Sequence, residues 1–379
     1  MFSRIPTIKA AMLLLSLAAC SDDPTDTTLQ PSASLADPGE RGITIMSRNL
    51  YLGANLDPII SAQNPNQVPF IAAQAWAAVI ASNFPERAQA LAAEIAATQP
   101  DLIGLQEATV YRRQSPSDFV LGNRTINANV IAYDFVALLL AALAERGLHY
   151  HVAAMVTNTD IEVPVFTGQG PLPFDDIRYT DADVILARNG IETSAAVARN
   201  YDAYVPVTIA GLPLRLLRGW TAIDAVVNGQ SIRFVNTHLE VQTFRPIQEA
   251  QATQLAASLQ NSPLPVVVVG DLNSAANEDA PVASRTGSYD IMRGAGYADL
   301  WLRGNGQNDG LTCCWPADVR GTTPLTQRID FVLIRQGPSH FVGGVQMDVL
   351  GDELIDRTAS GLWPSDHAGL AAVLRLTGR

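Results

Sequence analysis

Carboxylates, amides and imidazoles gather at the ends of apolar runs in this chain. Asn49 follows ITIMSR, Glu107 follows DLIGLQ, Asn236 and His238 lie in FVNTHLE, Asp271 and Asn273 close VVVVGDLN, Asp330 opens DFVLI, and Asp366 and His367 sit in PSDH. One such end would be a turn, because Gly, Asp and Asn bend the chain for local reasons. Their recurrence beside apolar runs predicts that strand ends converge on one polar site. Asp and Glu are hard oxygen donors suited to magnesium, which keeps several waters and is held by one or two carboxylates plus phosphate. Imidazole trades a proton near neutral pH, and a metal neutralises developing phosphoryl charge.

The elements that must position these residues alternate between strand and helix. Ile43 to Leu50, Asp101 to Ala108, His149 to Val156, Ala182 to Arg188, Thr221 to Val227, Ser231 to Glu240, Val266 to Val269 and Arg328 to Arg335 read as strands. Ser365 to Leu376 reads as a loop closing in a strand, and Asn228-Gly229 as a hairpin turn. Ile71 to Thr98 is Ala-rich at helical spacing and predicts one or two helices broken near Pro85. Ile131 to Arg146 and Ile247 to Leu259 also read as helices. Thr157 to Asp181 and Tyr289 to Thr323 predict long irregular segments at the rim of a cleft.

With 379 residues, 47% of them hydrophobic, the chain can bury a large core, and no internal linker divides Gly42 to Arg379. A net charge of −12 argues against a broad basic face for nucleic acid, though it leaves room for an enzyme that meets phosphate through a metal. Arg4 and Lys9 precede a short apolar run that ends in LSLAAC. Residues 1–20 therefore read as an export signal whose LAAC resembles a bacterial lipobox, with Cys20 lipidated and residues 21–41 a polar tether. Cys313 and Cys314 are adjacent, and are expected either as a vicinal disulfide or as two buried thiols.

The ordered set N, QE, NTHL, GDLN, RIDF and SDH resembles the endonuclease/exonuclease/phosphatase superfamily, over nearly all of Ile43 to the C-terminus. The resemblance implies an α/β four-layer sandwich, two stacked mixed sheets flanked by helices, and phosphoester hydrolysis by water with a divalent metal: Mg2+, or Mn2+ or Ca2+. It implies Glu107 as metal ligand, Asn49 holding the metal or its water, and Asp366 reaching the metal. Asp271 would orient or deprotonate the nucleophile or serve the leaving oxygen, and Asn273 would donate to phosphoryl oxygens. His238 would be a general acid, His367 the second catalytic histidine, Asp330 the carboxylate orienting it, and Asn236 a support for the His238 loop. Arg48, before Asn49, departs from the pattern, as does Ala187 beside Arg188.

The expected function is therefore an exported, lipid-anchored, monomeric phosphodiesterase with no obligate protein partner, acting on nucleic acid or phospholipid head groups. The alternatives are a phosphomonoesterase and a surface binding protein that kept the fold without the chemistry. Trp315 in LTCCWP is either a lipid-entering tip or core; His149 and His151 read as exposed strand residues; Arg328 as a salt-bridge partner.

Overall fold

The apolar runs become strands. The computed structural model describes residues 42–304, 309–337 and 340–378; the expected export signal, Cys20 and the expected tether lie outside the described residues. In chain order the strands are β1 (Ile43–Asn49), β2 (Leu102–Gln106), β3 (Val110–Gln114), β4 (Val130–Asp134), β5 (Tyr150–Phe166), β6 (Phe174–Arg188), β7 (Glu192–Asn200), β8 (Val205–Ile209), β9 (Leu212–Leu216), β10 (Gly219–Val227), β11 (Gln230–His238), β12 (Val266–Asp271), β13 (Ala298–Asp299), β14 (Asp330–Arg335), β15 (His340–Leu350) and β16 (Gly369–Gly378). The helices are α1 (Asp57–Ile60), α2 (Val68–Ala81), α3 (Phe84–Thr98), α4 (Phe135–Glu145), α5 (Arg245–Leu259) and α6 (Ser288–Gly294).

One mixed sheet has the order β15-β16-β1-β2-β6-β3-β4, with β5 also paired to β6; the second has the order β13-β14-β12-β11-β10-β7. Their facing sides share Ile43, Ile45, Leu102 and Ile185 with Phe234, Val267, Val269 and Val332. Helices α3 and α4 cover the outer face of the first sheet, with Leu91, Ile95 and Leu139 against Met46, Ile103 and Leu105. Helices α5 and α6 cover the second, with Leu255 and Met292 against Val235, Val266 and Val268. Helix, sheet, sheet and helix make the expected four-layer α/β sandwich. The uninterrupted valines of β12 follow from it, since Val267 and Val269 face the other sheet while Val266 and Val268 face helices.

Two expected boundaries move. Val130 to Asp134 is strand, and the helix begins only at Phe135, because Asp134 caps it by accepting from the Ala137 N–H at 3.0 Å. Most of the expected rim loop from Thr157 to Asp181 is the β5–β6 hairpin, with the turn confined to residues 167–173. Cross-strand partners decide this: Arg178 holds Asp160 through two bonds of 2.6 and 2.8 Å, and the Phe166 and Phe174 rings meet edge to face at 5.5 Å. Tyr289 to Thr323 carries most of α6 and the short β13, so it too is less irregular than expected.

Candidate active site

Register brings the polar strand ends into one place. In the first sheet β1 and β2 are parallel, pairing Asn49 with Gln106, so Glu107 follows one residue beyond. In the second, β11 pairs His238 with Asp271 of β12, and Asp271 in turn pairs with Asp330 of β14. The sheets meet through Asn49, whose Nδ2 lies 3.3 Å from Glu107 Oε1 and 3.3 Å from Asp271 Oδ2. Gly270 lets β12 pass this close: at φ +141°, an added Cβ would sit 1.9 Å from the Thr237 carbonyl oxygen. Glu107 and Asn273 both hold left-handed backbone, φ +54° and +49°, a conformation costly for such residues and concentrated at functional sites.

Glu107 accepts from the Leu52 N–H at 2.6 Å and from Asn49. Asp366 is half-buried, and its carboxyl is pushed up to about 6 by burial and the charge of Glu107, against the pull of His367. These two acids present hard oxygens with no ion pair to either among the described residues. The Asn49 Oδ1 accepts from the Tyr51 N–H at 2.9 Å, so its Nδ2 faces the carboxylates and the amide braces Glu107 and Asp271.

His367 and His238 flank Asp271. His367 Nδ1 is 2.8 Å from Asp330 Oδ2, and its Nε2 is 3.9 Å from Asp271 Oδ2. Burial alone would lower its pKa, but Asp330, Asp366 and Asp271 outweigh burial and hold it well above the usual histidine value. Asp271 is pushed up to about 7 by burial and by Asp330, with His367 opposing.

His238 is held oppositely. Its Nδ1 lies 3.0 Å from Arg218 Nη1, and its Nε2 lies 3.1 Å from Asn273 Nδ2 and 3.5 Å from Asp271 Oδ2. A guanidinium only donates, so Nδ1 must accept and the ring hydrogen belongs on Nε2. Burial and Arg218 hold the His238 pKa well below the usual value. The expected general-acid role therefore does not fit His238, because the ring stays neutral. Asn273 also differs from expectation in part: its Nδ2 donates to the Leu239 carbonyl at 3.0 Å, and its second amide hydrogen is left beside His238 Nε2.

Arg218 was not marked by the sequence, where LLRGW carries no pattern. It is fixed by Glu240 at 3.5 Å and Asp181 at 4.0 Å, both buried. Two other arginines support the site from behind. Arg48 is buried, pairs with Glu94 of α3 at 2.9 Å and donates to the His367 carbonyl. Arg87 of α3 donates to the carbonyls of Leu50, Tyr51 and Pro364, clamping both catalytic loops. A charged residue on the apolar face of a helix was the available signal for Arg87. Asn236 does not support a loop: it joins the sheets, accepting from Gln106 Nε2 at 2.6 Å and donating to the carbonyls of Leu105 and Val184.

Arg188 pairs with Asp101 and Arg328 with Asp299, both as structural ion pairs. His149 and His151 are exposed. Trp315 is core, stacked on Trp363 at 4.1 Å. Cys313 and Cys314 are joined as a disulfide, with Cys313 buried and Cys314 exposed, so two buried thiols are not what the fold contains.

A profile of the endonuclease/exonuclease/phosphatase family matches residues 80–367. Solved structures with this fold include an endonuclease/exonuclease/phosphatase family protein from Leptotrichia buccalis, at 15% identity over 88% of this chain and 99% of that one, TM-score 0.51. D. rerio TDP2 complexed with single strand DNA product aligns at 16% identity over 88% and 99%, TM-score 0.50. A family protein from Bacteroides thetaiotaomicron aligns at 15% identity over 88% and 97%, TM-score 0.50. No curated protein matches the sequence.

Proposed function

The chain belongs to the endonuclease/exonuclease/phosphatase family of metal-dependent phosphoesterases, and from that premise we propose that it hydrolyses phosphodiesters, in nucleic acid or phospholipid head groups. The observation that carries the reading is the pair of neutral donors set side by side next to Asp271, His238 Nε2–H and the Asn273 amide, with 3.1 Å between the nitrogens. His238 Nε2 also lies 3.5 Å from Asp271 Oδ2, and a phosphoryl oxygen set between the two nitrogens would accept from both.

Charge favours a diester. A monoester dianion asks for several cations, whereas Arg87 and Arg218 lie behind the site, spent on carbonyls, on His238 and on buried acids. A diester carries one negative charge and suits a site with neutral donors. Glu107 and Asp366 would hold a divalent cation of the magnesium or manganese class, which supplies charge neutralisation for the phosphoryl oxygens. The residues fit such an ion in donor type, since both offer carboxylate oxygens, and burial first and then the charge of Glu107 push the Asp366 carboxyl upward. Asp271, titrating near 7, takes a proton from the attacking water, and the His367 imidazolium, oriented by Asp330, gives one to the leaving oxygen.

Export, and anchorage of a monomer through lipidated Cys20, belong to the same reading; a Cys20→Ala chain found in the soluble fraction alone supports the anchor. The test of function is metal-dependent turnover of bis-p-nitrophenyl phosphate, p-nitrophenyl phosphate, DNA, RNA and sphingomyelin, with Glu107→Gln as control. Diester turnover lost in the variant and in chelator is expected. Faster monoester turnover favours the phosphomonoesterase; silence on every substrate with metal bound points to a narrow substrate outside the panel, and silence with no metal binding favours the binding protein.

A further inference from the structure

Away from these strand ends, three acids meet where the loop after β3 packs on the β5–β6 hairpin. Asp118 lies in that loop, Glu162 on β5 and Asp176 on β6, and one carboxylate oxygen from each lies within 4.8 Å of the others. Glu162 is 6% exposed and Asp176 fully buried.

Their neighbours satisfy only part of each group. Asp176 accepts from the Ser117 hydroxyl and from the N–H groups of Asp118 and Phe119. Glu162 Oε2 accepts from the N–H groups of Asn127 and Ala128, at 2.9 and 2.7 Å. Asp118 Oδ2 accepts from the side-chain amides of Asn123 and Asn127, each at 2.9 Å. What remains is Asp118 Oδ1, Glu162 Oε1 and Asn127 Oδ1, all shielded from solvent and all without a donor.

No basic side chain is ion-paired to these three acids among the described residues, although Arg178 stands opposite Glu162 across the strands. Among the described residues, Arg113 is turned to Asp175, Arg178 to Asp160, and Arg124 lies over the Phe119 ring at 3.9 Å. Burial and neighbouring negative charge push the carboxyls of Glu162 and Asp176 upward, as expected where a counter-ion is missing. Buried acceptors left without donors cost free energy, and buried charges are normally paired or coordinate metal.

We propose that Asp118, Asn127, Glu162 and Asp176 form a second cation site, separate from the Glu107 site, for a divalent cation of the calcium class. The donors are all oxygens, which excludes a thiophilic or imidazole-seeking metal. Three carboxylates and an amide drawn from a loop and two strands suit the larger, geometrically tolerant calcium better than magnesium, which demands a near-ideal octahedron and keeps its waters. The ion ties the 115–129 loop to the hairpin and takes no part in hydrolysis.

The test is calorimetric titration of calcium into the chelator-treated chain carrying Glu107→Gln, which weakens the first site, compared with the same chain also carrying Glu162→Gln or Asp118→Asn. One calcium should bind to the Glu107→Gln chain with a Kd on the order of 10⁻⁶ to 10⁻⁴ M, and each added substitution should weaken it about tenfold or more. Calcium should also raise Tm and slow proteolysis within residues 115–129, and both effects should vanish with the added substitutions. Asp118→Asn alone, with Glu107 intact, should keep magnesium-dependent turnover. No calcium binding to the Glu107→Gln chain, or unweakened binding in both double variants, overturns the proposal. Asp118 is half-buried in a loop, so Asp118→Asn decides the matter if Glu162→Gln fails to fold.

Discussion

His367 and His238 are two imidazoles at similar depth, 7% and 2% exposed, each with Nε2 directed at the same oxygen of Asp271, at 3.9 and 3.5 Å. They differ in what meets Nδ1: the carboxylate of Asp330 at 2.8 Å for one, the guanidinium of Arg218 at 3.0 Å for the other. Burial disfavours the charged form of both, yet their pKa values move in opposite directions. The sign of the charge on the far nitrogen therefore decides which ring can give up a proton and which can only lend a hydrogen bond.

The largest consequence of that contrast falls on His367. His367→Ala should lower kcat by about 10³-fold with an unchanged circular-dichroism spectrum, because it removes the proton donor. Next, His238→Ala should cost about 10²-fold, the size of losing one neutral donor to a phosphoryl oxygen; an equal or greater loss than at His367 would reverse the assignment.

The pH profile sharpens the comparison further. Asp271 must be ionised, so activity should fall as pH drops through about 7. His367 must be protonated, so activity should fall again as pH rises through its elevated pKa. Asp330→Asn removes the charge that raises His367, and the alkaline limb should move to lower pH; an unmoved limb would separate Asp330 from His367. Arg218→Met should let His238 protonate, adding an ionisation on the acid side, read by NMR of the ring nitrogens in variant and parent. A His238 that already titrates near 6.5 in the parent would break the contrast. The smallest effect on turnover is expected at the Arg188–Asp101 pair, where Arg188→Met should leave turnover unchanged and cost on the order of 1–3 kcal/mol of stability, since the buried Asp101 carboxylate loses its ion-pair partner.

Most of the strands, and the grouping of their polar ends, were legible because a buried strand writes itself as an apolar run. The far part of the β5–β6 hairpin, residues 157–181, was not, since its polar residues face partners on the other strand, as Arg178 faces Asp160, and pairing leaves no local signal. Strands β7 to β9 and β15 also escaped notice; β7 is mostly exposed and β8 and β9 form a separate small hairpin, so none carries a continuous apolar run.

At the site, residue type identified the acids and histidines, while orientation stayed hidden. Asn49 was expected to hold the metal or its water, and only the fold shows that its Nδ2 braces Glu107 and Asp271 while its Oδ1 accepts from the Tyr51 N–H. Asn236 looked like loop support and is a rivet between sheets. Arg218 stands twenty residues before His238 in a stretch with no motif, and reaches its ring because Gly219 and His238 are opposite one another on β10 and β11.

The sequence by itself determined the layered α/β class and the chemical types gathered at the strand ends, because apolar periodicity and turn chemistry are local and survive in one dimension. Tertiary structure alone decided which nitrogen of each histidine meets a carboxylate or a guanidinium, which way each amide faces, and where three acids meet without a counter-ion. Those depend on strand register and on packing between sheets, where charges distant in the chain come within a few ångströms and burial removes the water that would otherwise screen them.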